Sequence, residues 1–211
     1  MDTALTHQLP SKEDIAQLPL FHNLAMERIQ VIRERAQAEL IREELFQTAV
    51  FGFDSESKPT FKVGEVSTGP HVIQLATLDK AYIFQMNAEL WTFLIPLFAS
   101  RDHIKVGFGL KNDAHLFRKK GIELNRVIEL STCFSAFGYH KTMGVKNAMA
   151  LLFQVNFPKS KKISTSNWSH PQLSSAQIQY AAADAYACIL IFEQLLNLGI
   201  LPKTLLNPSL K

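Results

Sequence analysis

Three short apolar segments each carry carboxylates into surroundings where charge is costly, and any fold of this chain has to offset that cost. Asp54 and Glu56 sit in AVFGFDSES, Asp113 in KVGFGLKND, and Asp184 in QYAAADAY, four residues after Tyr180. A pair of divalent cations would offset the charge, because hard cations take oxygen ligands. Such a cluster suits cleavage of a phosphodiester with two metal ions.

At 211 residues the chain is long enough for one domain with a substantial core, and its fifteen phenylalanines point to a well-filled interior. A net charge of +3 permits a polyanionic partner without demanding one. Cys133 and Cys188 lie far apart in apolar stretches, which fits buried free thiols of a reducing compartment and not a zinc site. The opening MDTALTHQLPSKED has no basic-then-apolar signal pattern, and no apolar run reaches membrane-spanning length. The expected location is cytoplasmic.

Periodicity and punctuation give a coarse order of elements. Residues 1–10 read as loose, and the Ser11–Asp14 spacing of a capping box opens a short helix that stops by Pro19. Residues 28–33 read as a short strand, and 36–49, rich in strong helix formers, as one helix. The segment 50–56 reads as a buried strand carrying the first two carboxylates, and 72–77 and 81–86 as paired strands around an Asp79–Lys80 turn. A packed helix follows over 89–100, with Pro96 as a kink or break. Residues 104–110 form a strand, and a helix starting at Asn112 or Asp113 ends near Lys120–Gly121. Another strand (RVIELS), a helix (GVKNAMALLF), a basic polar loop (PKSKKISTSNWSHP) and a long helix ending at Gly199 complete the chain. This order predicts an α/β domain, a central mixed β-sheet flanked by helices, over residues 28–199, with an N-terminal extension (1–27) and a short tail (200–211).

Each acidic residue also has a structural reading. An Asp-x-Glu triplet recurs by chance in a chain of this length, and could be a solvated strand end. Residues two apart on a strand share a face, so Asp54 and Glu56 point the same way and repel unless a cation separates them. Asp113 sits where Asp is favoured as a helix N-cap. Its lead-in has the first two glycines of a dinucleotide-binding turn, Gly107 and Gly109, but Asn112 stands where the third is needed. Tyr180 and Asp184 stack on one face of a helix, where a structural Tyr–Asp hydrogen bond is the alternative to a shared site.

Taken together, the three segments resemble the motifs of the 3'-5' exonucleases of the DnaQ-like, ribonuclease-H-type fold, tyrosine subclass. VFGFDSE looks like the first motif, and KVGFGLKND is similar to the second as found in proofreading domains of family A DNA polymerases. SNWSHPQLSSAQIQYAAADAYA resembles the third as found in ribonuclease D and Werner-type exonuclease domains. The histidine subclass wants a histidine five before the last aspartate, where this chain has Gln179. The resemblance spans roughly residues 28–197 and implies a ribonuclease-H-like fold. It implies that Asp54, Glu56 and Asp184 hold one divalent ion, magnesium or manganese, that Asp54 bridges to a second, and that Asp113 supports the second directly or through water. It also implies hydrolysis of DNA or RNA from the 3' end with release of nucleoside 5'-monophosphates. Tyr180, a weak base at an ordinary phenol pKa near 10, would orient the water.

Two departures concern substrate contacts. Many second motifs carry Asn where this chain has Gly109, and the Ser-Lys-Pro-Thr-Phe run after Glu56 differs from the aromatic and proline pair of Werner-type domains. Lys58 is a candidate phosphate contact and Phe61 a candidate base-stacking residue, against a solvated lysine and a core phenylalanine. Lys159, Lys161 and Lys162, with Trp168 just beyond, form a candidate nucleic-acid patch, against a solvated charge run. The competing class is a non-catalytic nucleic-acid-binding module that kept the fold, and a third is an endonuclease of similar fold.

Overall fold

A computed structural model describes residues 8–60, 64 and 68–206. Six strands form one sheet in the order β1-β4-β3-β2-β5-β6. They are β1 (Ile29–Ile32), β2 (Val50–Glu56), β3 (Val72–Ala76), β4 (Ala81–Gln85), β5 (Ile104–Gly107) and β6 (Val127–Glu129). The sheet is mixed, as the sequence order predicts. The β2–β3 and β3–β4 pairs are antiparallel, whereas β1–β4, β2–β5 and β5–β6 are parallel.

Helices cover both faces, because the strands are apolar on both sides. The eight α-helices among the described residues are α1 (Lys12–Gln17), α2 (Arg35–Leu40), α3 (Arg42–Gln47), α4 (Ala88–Ala99), α5 (Leu110–Lys119), α6 (Val145–Phe153), α7 (Lys161–Ser164) and α8 (Ser175–Asn197). One core packs Phe51 and Phe53 of β2 against α2 to α5, with Phe93, Phe98 and Phe117 at its centre. The other packs Val72, Ala76, Ile83 and Val106 of the sheet against α6 and α8. The predicted short N-terminal helix is present with its capping box: Asp14 N–H donates to the Ser11 hydroxyl at 3.1 Å. The chain after α1 lies against this second core, where Phe21 stacks on Phe157 and Asn23 donates to the Gln179 carbonyl at 2.8 Å.

Three expected elements differ. The single helix over 36–49 is two, broken at Ile41, whose φ of −109° and ψ of 8° leave the helical region. Neither glycine nor proline marks that break in the sequence. The helix after β5 starts at Leu110, not at Asn112 or Asp113, because Gly109 caps it with a left-handed φ of 74°. The polar loop after α6 contains the short helix α7, capped by Ser160. Pro96 neither breaks nor ends α4, which runs on to Ala99. The ammonium of buried Lys105 closes that helix from β5, donating to the carbonyls of Phe98 at 3.2 Å and His103 at 2.7 Å. Burial pushes that ammonium down to about 8.

A close approach of helix backbone to strand fixes where α8 lies. A Cβ built on Gly52 of β2 would come within 2.0 Å of the Ala185 carbonyl oxygen and 2.9 Å of the Ile189 nitrogen. Real Cβ atoms do not approach backbone so closely, so only glycine lets the helix lie directly on the strand. Gly52→Ala is therefore expected to cost about 3 kcal/mol in urea denaturation, a severe case of overpacking. An unchanged midpoint would contradict this packing.

Candidate active site

Strand β2 and helix α8 assemble the acidic cluster. Gly52, Asp54 and Glu56 alternate onto the face that meets α8, while Phe51 and Phe53 go to the opposite core. On α8, Asp184 directly precedes Ala185, whose carbonyl touches Gly52. Oxygens of Asp54, Glu56 and Asp184 consequently lie within 4.8 Å of one another. Asp54 is oriented by its neighbour, the Ser55 N–H donating to its Oδ1 at 2.9 Å.

Asp113 reaches the same strand end from α5. It is buried, lies within the helix and not at its cap, and accepts a hydrogen bond from the Ser55 hydroxyl. The N-terminus of α5 is held instead by Glu129 at the end of β6. Its carboxylate accepts from Gly109 N–H at 3.1 Å and Leu110 N–H at 2.8 Å. Ser55 and Glu129 were invisible as site residues in the sequence: a serine inside Asp-x-Glu and a glutamate at a strand end carry no spacing signal.

Tyr180 lies one turn before Asp184 on α8 and is buried. Trp168 packs on it with ring centres 6.1 Å apart, and the indole N–H donates to the Ser164 carbonyl at 3.0 Å. Trp168 is 1% exposed, so it braces the tyrosine and presents no face for a base to stack on. That corrects its reading as a nucleic-acid contact. Lys161 and Lys162 are exposed on α7, as a backbone-contacting patch requires. Lys58 is half-buried, and its backbone N–H donates to His71 Nδ1 at 3.2 Å. Phe61 lies outside the described residues.

Lys159, a candidate member of the nucleic-acid patch, also reaches the acidic cluster. Its ammonium is 3.1 Å from both carboxylate oxygens of Asp184 and 5.7 Å from the centre of the Tyr180 ring. The pairing has no local signature, because the partners are 25 residues apart.

Electrostatics follow from this crowding. Burial, then the charges of Asp184 and Glu56, hold the Asp54 carboxyl well above the ordinary carboxylate range. Glu56 is pushed up to about 8, by burial first and then by Asp184. Asp184 is raised by burial even though the Lys159 ammonium and the Tyr180 hydroxyl pull it down. Asp113 is raised by burial, with the Ser55 hydrogen bond opposing. The Tyr180 phenol is held above its ordinary value by burial and by Asp184. Four carboxylates thus face one ammonium among the described residues, an imbalance that favours cation binding. The donor set is all oxygen, the set that magnesium and manganese prefer to softer ions.

A family model described as 3'-5' exonuclease matches residues 29–200. The bifunctional 3'-5' exonuclease/ATP-dependent helicase WRN of Mus musculus is 32% identical over 156 residues, covering 71% of this chain and 11% of that protein. A 3'-5' exonuclease of Arabidopsis thaliana is 29% identical over 156 residues, covering 71% of this chain and 54% of its own length. The chain thus spans about half or less of these curated relatives. The exonuclease domain of Aedes aegypti Nibbler superposes with a TM-score of 0.72 at 24% identity, covering 90% of this chain and all of that domain. This likeness establishes the ribonuclease-H-like fold. No helix among the described residues is long and apolar enough to cross a membrane.

A glutamate whose folded pKa is raised binds its proton more tightly in the native state. Glu56 therefore makes the chelator-treated protein lose stability as pH rises from about its unfolded value of 4.5 to about 8. Melting temperatures of chelated protein should fall across that window, and saturating manganese should flatten the slope; a slope unaffected by manganese would contradict the shared site. Glu129 shows the opposite sign: burial pushes its carboxyl up, but hydrogen bonds from Ser131, Gly109 and Leu110 together hold it below the ordinary value. Glu129→Gln should cost about 1 kcal/mol at neutral pH. The difference from the parent should shrink as pH falls below about 4.5, which urea titrations at several pH values would measure.

Proposed function

The chain belongs to the 3'-5' exonuclease family, and on that premise we propose that it hydrolyses nucleic-acid phosphodiesters from the 3' end at the Asp54–Glu56–Asp184 cluster, releasing nucleoside 5'-monophosphates. The observation that carries this reading is the convergence of three carboxylates within 4.8 Å, with Tyr180 one helical turn from Asp184. Asp54, Glu56 and Asp184 would hold one divalent ion, and Asp54 with Asp113 would support a second. Such ions, when bound, supply a water acidified towards neutral pH and positive charge for the phosphoryl oxygens and the leaving 3' oxygen.

The protein's own groups divide the remaining work. The Tyr180 phenol keeps its proton at neutral pH, since burial and Asp184 hold its pKa above the ordinary value. It therefore acts as a hydrogen-bond donor that orients water or phosphate, and not as a base. Trp168 and α8 fix its ring from two sides. The Ser55 hydroxyl holds Asp113 in place, and Glu129 holds the helix that carries it. Lys161 and Lys162 are positioned on an exposed turn where they would meet a phosphate backbone.

The test uses 5'-labelled single-stranded DNA, duplex DNA, RNA and a dinucleotide with magnesium or manganese. Shortening one nucleotide at a time from the 3' end is expected on at least one of them, with a circular single strand left intact. Asp54→Ala should slow the reaction on the order of a hundredfold to a thousandfold. Failure to shorten any substrate, cutting of the circle, or activity that survives Asp54→Ala would overturn the assignment.

A further inference from the structure

The pairing of Lys159 with Asp184 has a consequence for how the site is loaded. Among the described residues it is the one ion pair involving a member of the carboxylate cluster. The ammonium sits 3.1 Å from both oxygens of Asp184, so it touches each oxygen that Asp184 offers to a cation. Asp54 and Glu56 also feel the Lys159 charge, and neither has an ion pair of its own among the described residues.

The two partners differ in freedom. The Asp184 side chain is 5% exposed and fixed on α8, whereas the Lys159 side chain is 42% exposed. The lysine has a flexible four-carbon stem and reaches water by rotating, without backbone movement. Its backbone stays anchored on both sides, by buried Phe157 before it and by the Ser160 cap of α7 after it. Asp184 cannot turn away, so any exchange of partners happens by the lysine leaving.

We propose that Lys159 is an internal counter-ion that occupies Asp184 in the metal-free protein and competes directly with the divalent cation for it. This rests on the reading of the cluster as a metal site. Loading then requires the ammonium to leave, and the loop between α6 and α7 keeps the released charge beside Tyr180, on the side of the site where α7 also carries Lys161 and Lys162. The competition lowers metal affinity and protects the empty cluster from its own repulsion. An ammonium that merely ordered Asp184 for the metal would have the opposite effect on affinity.

The test is manganese binding to the full chain by calorimetry, comparing the parent with Lys159→Met, Lys159→Gln and Lys159→Arg, with Asp54→Asn as the control for the site. The neutral variants should bind manganese more tightly, on the order of tenfold, since a like charge in direct competition has been removed. Their chelated forms should melt lower than the parent, and manganese should raise their melting temperatures by more. Lys159→Arg, which keeps the charge, should stay near the parent. Equal or weaker manganese affinity in either neutral variant that remains folded would overturn the competition. Failure of the metal-site reading looks different: no saturable binding to the parent or to either neutral variant, with Asp54→Asn indistinguishable from them.

Discussion

The contact between Gly52 and the backbone of α8 is the constraint on which the site depends. A helix laid on a sheet normally stands off by the side chains that both surfaces present. Here glycine removes one side chain and Ala185 nearly removes the other, so the helix comes down onto β2. Asp184, next to Ala185, is then delivered beside Asp54, two residues beyond Gly52 on the same face of the strand. The alanines at 181, 182 and 183, just before Asp184, are buried as well.

A site assembled this way stores repulsion. Folding brings Asp54, Glu56 and Asp184 together and removes water from them, and every one of these carboxyls is raised in consequence. The surrounding structure tolerates this because the two apolar cores hold the sheet and its covering helices in place from both sides. What relieves the repulsion locally is positive charge, and the protein itself supplies only Lys159 among the described residues. Burial and the charge of Asp184 also raise the Tyr180 phenol, so a single electrostatic field acts on the whole cluster.

Much of this was legible in the sequence, and the exceptions share a cause. Strand β2 and helix α8 were readable because alternation and helical spacing are local, and they carry Asp54, Glu56, Tyr180 and Asp184. The start of α5 was misplaced because Asn112 and Asp113 look like caps, whereas Gly109 starts the helix and the capping carboxylate, Glu129, comes from a strand 20 residues away. Trp168 looked exposed because its neighbours are polar; its burial depends on α8 packing over it. Lys159 read only as part of a nucleic-acid patch or a solvated run because tertiary structure alone brings Asp184 to it. Local chemistry thus revealed the groups that react. The groups that position or neutralise them are set by contacts distant in sequence.

The most direct measurement is a crystal structure of the full chain soaked in manganese, with the ions located by their anomalous scattering. The expected result is anomalous density in contact with the carboxylates of Asp54, Glu56 and Asp184, and the Lys159 ammonium moved off Asp184. Density elsewhere only, or an intact Lys159–Asp184 pair beside a fully loaded site, would contradict it.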